Sequence, residues 1–328
     1  MNFMTFLNTP SAILPLLLGC GVVFVNGWTD APNSICSVVT EDVFPLSKAC
    51  VFSSAFNFLG AFLSLFIFSG VSESIFELAT FKSNHDTSIG ICATLLTVII
   101  FSIIAWLFGM PSSESHAMVS ALIGASIFLG SSGFDAGIFS ILLYMFISCG
   151  LSFLISYIVG LTIKGSDKGF KAHLIVTCGL SSFLHGAQDG QKFIGVLLFL
   201  ALNPATPPSF FVSLQLSILV CIFMSLGTLL GGGRIIKSLG ENTIRLNQKS
   251  AFASDIGAII STLLFSIFGL PVSTGTIKAT SIMGGGISFG ERVNKKTAIE
   301  LFIVSIATFP VCIILSGALS LFFKSIFP

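Results

Sequence analysis

Charge is what this chain has least of. Only 9% of its 328 residues are Asp, Glu, Lys or Arg, whereas about 25% is usual in soluble domains, and 54% are hydrophobic. Together with a mean hydropathy of +1.00 this excludes an ordinary soluble enzyme or binding module and leaves a polytopic membrane protein. The net charge is +1 and no basic run is long enough to hold nucleic acid. The eight cysteines, Cys20, Cys36, Cys50, Cys92, Cys149, Cys178, Cys221 and Cys312, lie in apolar stretches and form no CxxC pair. That pattern argues against metal or redox use and reads as small apolar filler. Met1 to Leu18 carries no Lys or Arg, so it lacks the charged start of a cleavable signal peptide and reads as the beginning of the first span. The run Gly231 to Gly233 lacks the GKS/T ending of a nucleotide loop and reads as a helix end. The segment Arg234 to Lys249 is too short to hide a catalytic domain, and the 35 phenylalanines serve as lipid-facing and packing bulk.

What is present is a repeat. Taking about 20 residues per crossing, apolar stretches fall at Ser11 to Thr40, Lys48 to Gly70, Ser88 to Phe108, Ser112 to Leu129 and Gly137 to Ile163. Five more follow at Ala172 to Leu202, Ser209 to Leu230, Ala251 to Phe268, Val272 to Phe289 and Thr297 to Phe323. Two internal matches divide the chain the same way. Phe24 to Val39 (FVNGWTDAPNSICSVV) is answered by Phe183 to Leu198 (FLHGAQDGQKFIGVLL), and Pro111 to Ile127 by Pro271 to Ile287, at offsets of 159 and 160. The expected organisation is therefore a first repeat over 1–163, a linker over 164–171 and a second repeat over 172–328. An odd number of segments per half inverts the second half. The count of basic residues agrees: eleven Lys and Arg, from Lys48 to Lys296, fall on one side, with only Lys82 and Lys324 on the other. By the positive-inside rule the first side is cytoplasmic and both termini face outward. The fold class expected is all-α, with about ten membrane segments in two inverted repeats that contain broken helices and Pro-Ser/Thr helical hairpins. Full crossing and re-entry of the hairpins give the same parity, so both stay open.

Each half buries one aspartate in an apolar segment, Asp30 and Asp189. A carboxylate at membrane depth costs roughly 2.5 to 3.5 kcal/mol even on insertion scales, and it is usually retained for ion or substrate handling. Gly27 and Pro32 weaken the first helix, which is expected to break around Asn26 to Asn33. Broken helices are tolerated at that depth where they line a cavity. The freed carbonyls with Asp30 and Asn33 form an oxygen-rich cage for a hard cation. Gln188, Asp189 and Gln191 offer the same chemistry in the second half, with Gly186 and Gly190 for flexibility. Inverted repeats whose discontinuous helices meet at mid-membrane are a recurrent plan of secondary transporters. The second motif pair opens a helix with proline and hydroxyls: Ser112, Ser113 and Ser115 in one copy, Ser273, Thr274 and Thr276 in the other. Two such N-termini facing each other would grip a tetrahedral oxyanion.

These residues resemble the inorganic phosphate transporter (PiT) family, marked by a duplicated G-x-N-D-x-x-N type motif and a duplicated P-x-S-[ST]-[ST]-H motif. The first is present as Gly27, Thr29, Asp30 and Asn33; its second copy, HGAQDGQK, matches at His185, Gly186, Asp189, Gln191 and Lys192. The hairpin motif is present as Pro111, Ser113, Ser115 and His116, and again as Pro271, Ser273 and Thr274. The similarity spans both halves. It implies cation-driven phosphate uptake by a two-domain protein that moves in an elevator-like or rocking manner and is commonly a dimer. The departures are Thr29 and Gln188 where the family usually has Asn, Glu114 where it has Ser or Thr, and Gly275 and Thr276 in place of Thr and His. An ionised Glu114 would repel an anion, so it is expected to be protonated, to pair with Lys192 or Lys278, or to carry a coupling proton.

The sequence thus predicts a plasma (inner) membrane symporter that imports inorganic phosphate with sodium or protons and needs no cofactor. Asp30, Asn33, Gln188 and Asp189 are expected to hold sodium. Ser113, Ser115, Ser273, Thr274 and Lys192 would hold phosphate, and Glu114, His116, Gln191 and Thr29 would serve coupling or gating. Plainer roles stand beside these: the aspartates as helix caps or partners of Lys192, the amides as glue between helices, His116 and His185 as packed histidines. Lys278 reads as snorkelling or paired. Sulfate is the alternative substrate. An intramembrane aspartyl protease also needs two aspartates, but Asp189 sits in AQDG and not in the GxGD of such enzymes. An uncoupled anion channel leaves the aspartates unexplained.

Overall fold

A computed structural model of the protein describes residues 10–67, 70–76, 81–110, 113–130, 136–164, 169–201, 210–231, 233–236, 244 and 246–327. Pro111 and Ser112 lie outside the described residues. The described chain is helical, with no strand: α1 Pro10–Thr29, α2 Pro32–Thr40, α3 Leu46–Ile67, α4 Gly70–Phe76, α5 Asn84–Leu107, α6 Glu114–Phe128 and α7 Ala136–Thr162 form its first part. α8 Lys171–Ala201, α9 Phe210–Leu230, α10 Gly233–Ile236, α11 Gln248–Ile267, α12 Thr274–Ser288 and α13 Lys295–Ile326 form the second. Six stretches among the described residues are long and apolar enough to cross a membrane: Ile13–Thr40, Leu46–Phe66, Asn84–Leu107, Phe139–Thr162, Gln248–Ile267 and Lys295–Ile326. The outer faces of α7 and α13 expose large apolar side chains such as Leu154, Ile158, Phe302 and Ile306, as expected where lipid is the solvent.

α1 ends at Thr29 and α2 starts at Pro32, so the first helix breaks where the sequence places the break. Pro32 has no N–H to continue the ladder. The second motif corrects the expectation of matching breaks, since α8 runs unbroken for 31 residues through Gly186 and Gly190. With no proline in HGAQDGQK the backbone ladder stays intact, and the two glycines serve packing. A side chain at Gly186 would strike the backbone of Asn57, and one at Gly190 would strike Ala61.

Backbone features recur at intervals of 160 residues. Ser113 and Ser273 are the N-caps of α6 and α12, both 15 residues long. Gly109 and Gly269 take φ of 66° and 68° after α5 and α11, a left-handed turn that glycine adopts without strain. Gly124 lies against the Ile313 carbonyl and Gly284 against the Phe153 carbonyl, small-residue contacts that let membrane helices approach closely. Pro271 stands two residues before the Ser273 cap, not in the first turn of α12 as expected, because the extended backbone of Ser273 delays the helix to Thr274.

Two apolar clusters bracket the polar centre. One gathers Val22, Leu95, Met118, Phe193 and Leu197. The other gathers Ile35, Leu174, Cys178, Ile244 and Ile282. α8 contributes to both, which leaves its middle, His185 to Lys192, between them.

Candidate functional site

The site forms where the α1–α2 break, the middle of α8 and the starts of α6 and α12 meet. At the break, the N–H groups of Asp30 and Ala31 both reach the Asn26 carbonyl, at 2.8 and 3.3 Å, so the chain turns tightly and does not open. Asp30, only 2% exposed, accepts hydrogen bonds from Asn33 Nδ2 and, at 3.3 Å, from Thr274 Oγ1. The same hydroxyl lies 3.4 Å from Asp189 Oδ2 and 3.1 Å from His185 Nδ1. One threonine at the start of α12 thus joins the aspartates of both motifs. Ligand atoms of Asp30, His185 and Asp189 all lie within 4.8 Å of one another, a group able to hold a metal ion.

The two aspartates are balanced differently. Asp189 pairs with Lys192 Nζ at 2.5 Å and accepts from Asn26 Nδ2 at 3.1 Å. Lys192 Nζ also donates to Ser115 Oγ at 2.6 Å and to the Val272 carbonyl at 2.5 Å, which Ser115 reaches at 3.0 Å. Among the described residues no Lys or Arg forms an ion pair with Asp30 or Glu114. Buried oxygens without a hydrogen-bond partner gather near them: Asn26 Oδ1, Asn33 Oδ1 and Glu114 Oε2. Buried acceptors without donors are costly in a protein interior and suit a cation that takes the place of the donors.

Of the residues singled out in sequence, Asp30, Asn33, Asp189, Lys192, Ser115 and Thr274 come together. Thr29 Oγ1 meets Glu114 Oε1 at 2.5 Å and the Val25 carbonyl at 2.8 Å. Ser113 and Ser273 are engaged as caps, accepting from the N–H of His116 and Thr276 at 3.1 and 3.2 Å. The N–H groups next in line, of Glu114 and Ser115 and of Thr274 and Gly275, have no carbonyl partner within their helices. Gln188 stands at the edge, donating to the Leu270 carbonyl at 2.9 Å and accepting from Ser266 at 2.5 Å. Two residues lie elsewhere. Gln191 turns away to the Ser64 carbonyl of α3 at 3.3 Å, because two positions beyond Asp189 on a continuous helix is the opposite flank. His116 packs between Phe146 and Phe309 with neither ring nitrogen bonded.

Sequence reasoning missed Asn26, although it stands inside the quoted motif as one more amide at membrane depth. It also missed Asp255. This carboxylate of α11 accepts from Ser37 at 2.6 Å and from Thr177 at 2.5 Å and forms an ion pair with Lys278, all four residues being buried. Lys278 therefore pairs and does not snorkel. Asp255 has the same signature as Asp30 and Asp189, an acid within an apolar stretch, but it has no mate in the other half.

A buried, charge-bearing centre walled by membrane-length helices defines a membrane transport protein. The sequence profile of the Phosphate transporter family matches residues 26–167 and 164–316, and the chain belongs to that family, the PiT family its motifs resemble. A "Probable low-affinity inorganic phosphate transporter" of Bacillus subtilis (strain 168) is 30% identical over 94% of this chain and 96% of the relative. A protein of the same description from Rhizobium meliloti (strain 1021) is 30% identical over 83% of this chain and 85% of its own. A solved structure, "The sodium-dependent phosphate transporter", superimposes with a TM-score of 0.84 at 21% identity, covering 96% of this chain and 99% of that one, so the fold is shared. The family is one of transport, not catalysis, and the protease alternative falls away.

Proposed function

We propose that the protein is a secondary active transporter importing inorganic phosphate together with sodium by alternating access. The observation that carries this reading is the bridge of Asp30 and Asp189 through Thr274, with Asp30 in no ion pair with a Lys or Arg among the described residues. A sodium ion at Asp30, held also by Asn33, Asn26 and Asp189 oxygens, supplies the missing positive charge. With it in place, the first-turn N–H groups of α6 and α12, with Ser115, Thr274 and the caps Ser113 and Ser273, take the anion. Lys192 is shared between Asp189 and Ser115, so it links the cation centre to the anion donors. Gln188 fixes the extended stretch before α12 by binding the Leu270 carbonyl and does not touch the ion directly.

Glu114 fits the coupling-proton role. Thr29 has one hydroxyl proton and two oxygens within reach; both contacts are satisfied when Thr29 donates to Val25 and Glu114, as a carboxylic acid, donates to Thr29. A neutral Glu114 also leaves the anion unopposed.

The reading includes two inverted repeats, 1–163 and 172–328, joined by a cytoplasmic linker at 164–171. The features repeated at 160 residues support it, as do the hairpin tips: Arg234 reaches the Leu107 carbonyl at 3.4 Å, and Ser74 the Gly269 carbonyl at 2.7 Å. Each tip thereby docks on an element of the other half. The first arm of each hairpin, α5 or α11, is about 30 to 36 Å long and can cross, whereas the returning helix starts part-way in. Termini outside the plasma membrane and a homodimer complete the proposal. Phosphate uptake into proteoliposomes tests it: uptake driven by an inward sodium gradient is expected, and uptake indifferent to sodium and to pH would refute symport. Competition by sulfate distinguishes the alternative substrate.

A further inference from the structure

Beside the site lies a second oxygen cage. Asp255 of α11 is fully buried; Ser37 of α2 and Thr177 of α8 direct their hydroxyls to its two oxygens at 2.6 and 2.5 Å. The ammonium of Lys278, from α12, sits on Asp255 Oδ1 and 3.1 Å from Ser37 Oγ. Lys278 also lines a cavity of about 20 Å³ with Asn33, His185 and Thr274, so the cage adjoins the centre described above.

An ion pair serving only to hold helices together should be required by the fold. Here it is not. The positions 160 residues before Asp255 and Lys278 are Leu95 and Met118, and 159 residues after Ser37 stands Val196; all three belong to one buried apolar cluster. The same helix arrangement is therefore closed there without charge, consistent with the general finding that well-packed hydrophobes can replace a buried ion pair without loss of stability. What the charged version adds is a pair of hard oxygens, Asp255 Oδ1 and Ser37 Oγ, on one monovalent cation, with the other Asp255 oxygen held by Thr177; oxygen donors of this kind are what an alkali ion takes.

We propose that Lys278 is a tethered cation: its ammonium permanently fills an oxygen site of Asp255 and Ser37, steadied by Thr177 on the far oxygen of Asp255, that would otherwise take a free monovalent ion. The inference rests on the proposed sodium coupling for its meaning. The chain then carries its own charge at this position through every cycle and binds one ion fewer than its oxygen cages could accommodate. Because α12 supplies both Lys278 and Thr274, the tether also keeps the start of α12 in register with α2, α8 and α11.

The test compares purified wild type, Lys278→Met and the double variant Lys278→Met/Asp255→Asn, each in sodium, lithium, potassium or choline chloride. Thermal unfolding and the number of radiolabelled sodium ions bound per chain are measured. Lys278→Met is expected to bind one more sodium ion than wild type and to gain a sodium-dependent rise in melting temperature absent from the double variant. Equal sodium binding by wild type and Lys278→Met overturns the proposal, and so does melting of Lys278→Met that is alike in all four salts. If neither variant assembles, the lysine belongs to the fold and the proposal also fails. Wild type that binds no sodium at all would instead count against the proposed sodium coupling, while leaving the one-ion difference between wild type and Lys278→Met to be read independently.

Discussion

Asp30→Asn should separate ion coupling from folding. Asp30 is buried, accepts from Asn33 and Thr274 and forms no ion pair with a Lys or Arg among the described residues, whereas Asp189 is held by Lys192. An asparagine at position 30 keeps an oxygen for one of those donors and removes a buried charge that no direct ion pair holds. Two unit charges about 4 Å apart at an effective dielectric near 20 attract by roughly 4 kcal/mol. The loss of that attraction weakens sodium binding by about a thousandfold, at about 1.4 kcal/mol per decade. Stability should hold or rise, since a lone buried charge is unfavourable. Asp189→Asn should behave differently: it strands the Lys192 ammonium, and breaking a buried pair costs about 3 to 5 kcal/mol. The assay pairs sodium-dependent phosphate uptake in proteoliposomes with melting temperatures in sodium and in choline. Expected are loss of uptake in both variants, a wild-type or higher melting temperature in choline for Asp30→Asn, and a lowered one for Asp189→Asn. Sodium-driven uptake by Asp30→Asn within about threefold of wild type, an effect below about 1 kcal/mol, would refute the assignment of Asp30 as the ion ligand.

Glu114→Gln keeps a side-chain donor for Thr29 but cannot release a proton, so its uptake should lose the pH dependence shown by wild type at fixed sodium; an unchanged pH profile counts against a coupling proton. His116→Phe replaces a ring whose nitrogens have no partner between Phe146 and Phe309, and relief of a buried unsatisfied group is worth about 1 to 3 kcal/mol. It should melt higher and keep sodium-driven uptake; lost uptake with intact folding would return His116 to the mechanism. Gly284→Val drives a side chain into the Phe153 carbonyl, and overpacking of this kind costs about 1 to 3 kcal/mol. A lowered melting temperature is expected, and no change would show that α7 and α12 can part without cost.

Much of the site was legible because membrane depth makes polar residues conspicuous. Asp30, Asn33, Asp189, Lys192, Ser115 and Thr274 stand out in apolar sequence, and Pro32 identifies the helix break by removing a donor. Other assignments needed the fold. Gln191 and Lys192 are adjacent in sequence, yet a continuous helix turns them to different neighbours, so only Lys192 reaches Asp189. The expected break in α8 failed because glycine permits a kink without requiring one, and here both glycines are occupied by close helix contacts. Asp255 went unread because a repeat singles out what is duplicated, and this acid is matched by Leu95.

The sequence by itself determined the class, the membrane-length helices, the paired motifs and the two aspartates, because hydropathy and proline act locally and a recurring motif is a property of the string. Only the tertiary structure decided how charge is distributed among those acids. Whether a buried carboxylate forms an ion pair depends on which helices cross beside it, and among the described residues those crossings pair Asp189 with Lys192 and Asp255 with Lys278 and leave Asp30 without a direct lysine partner.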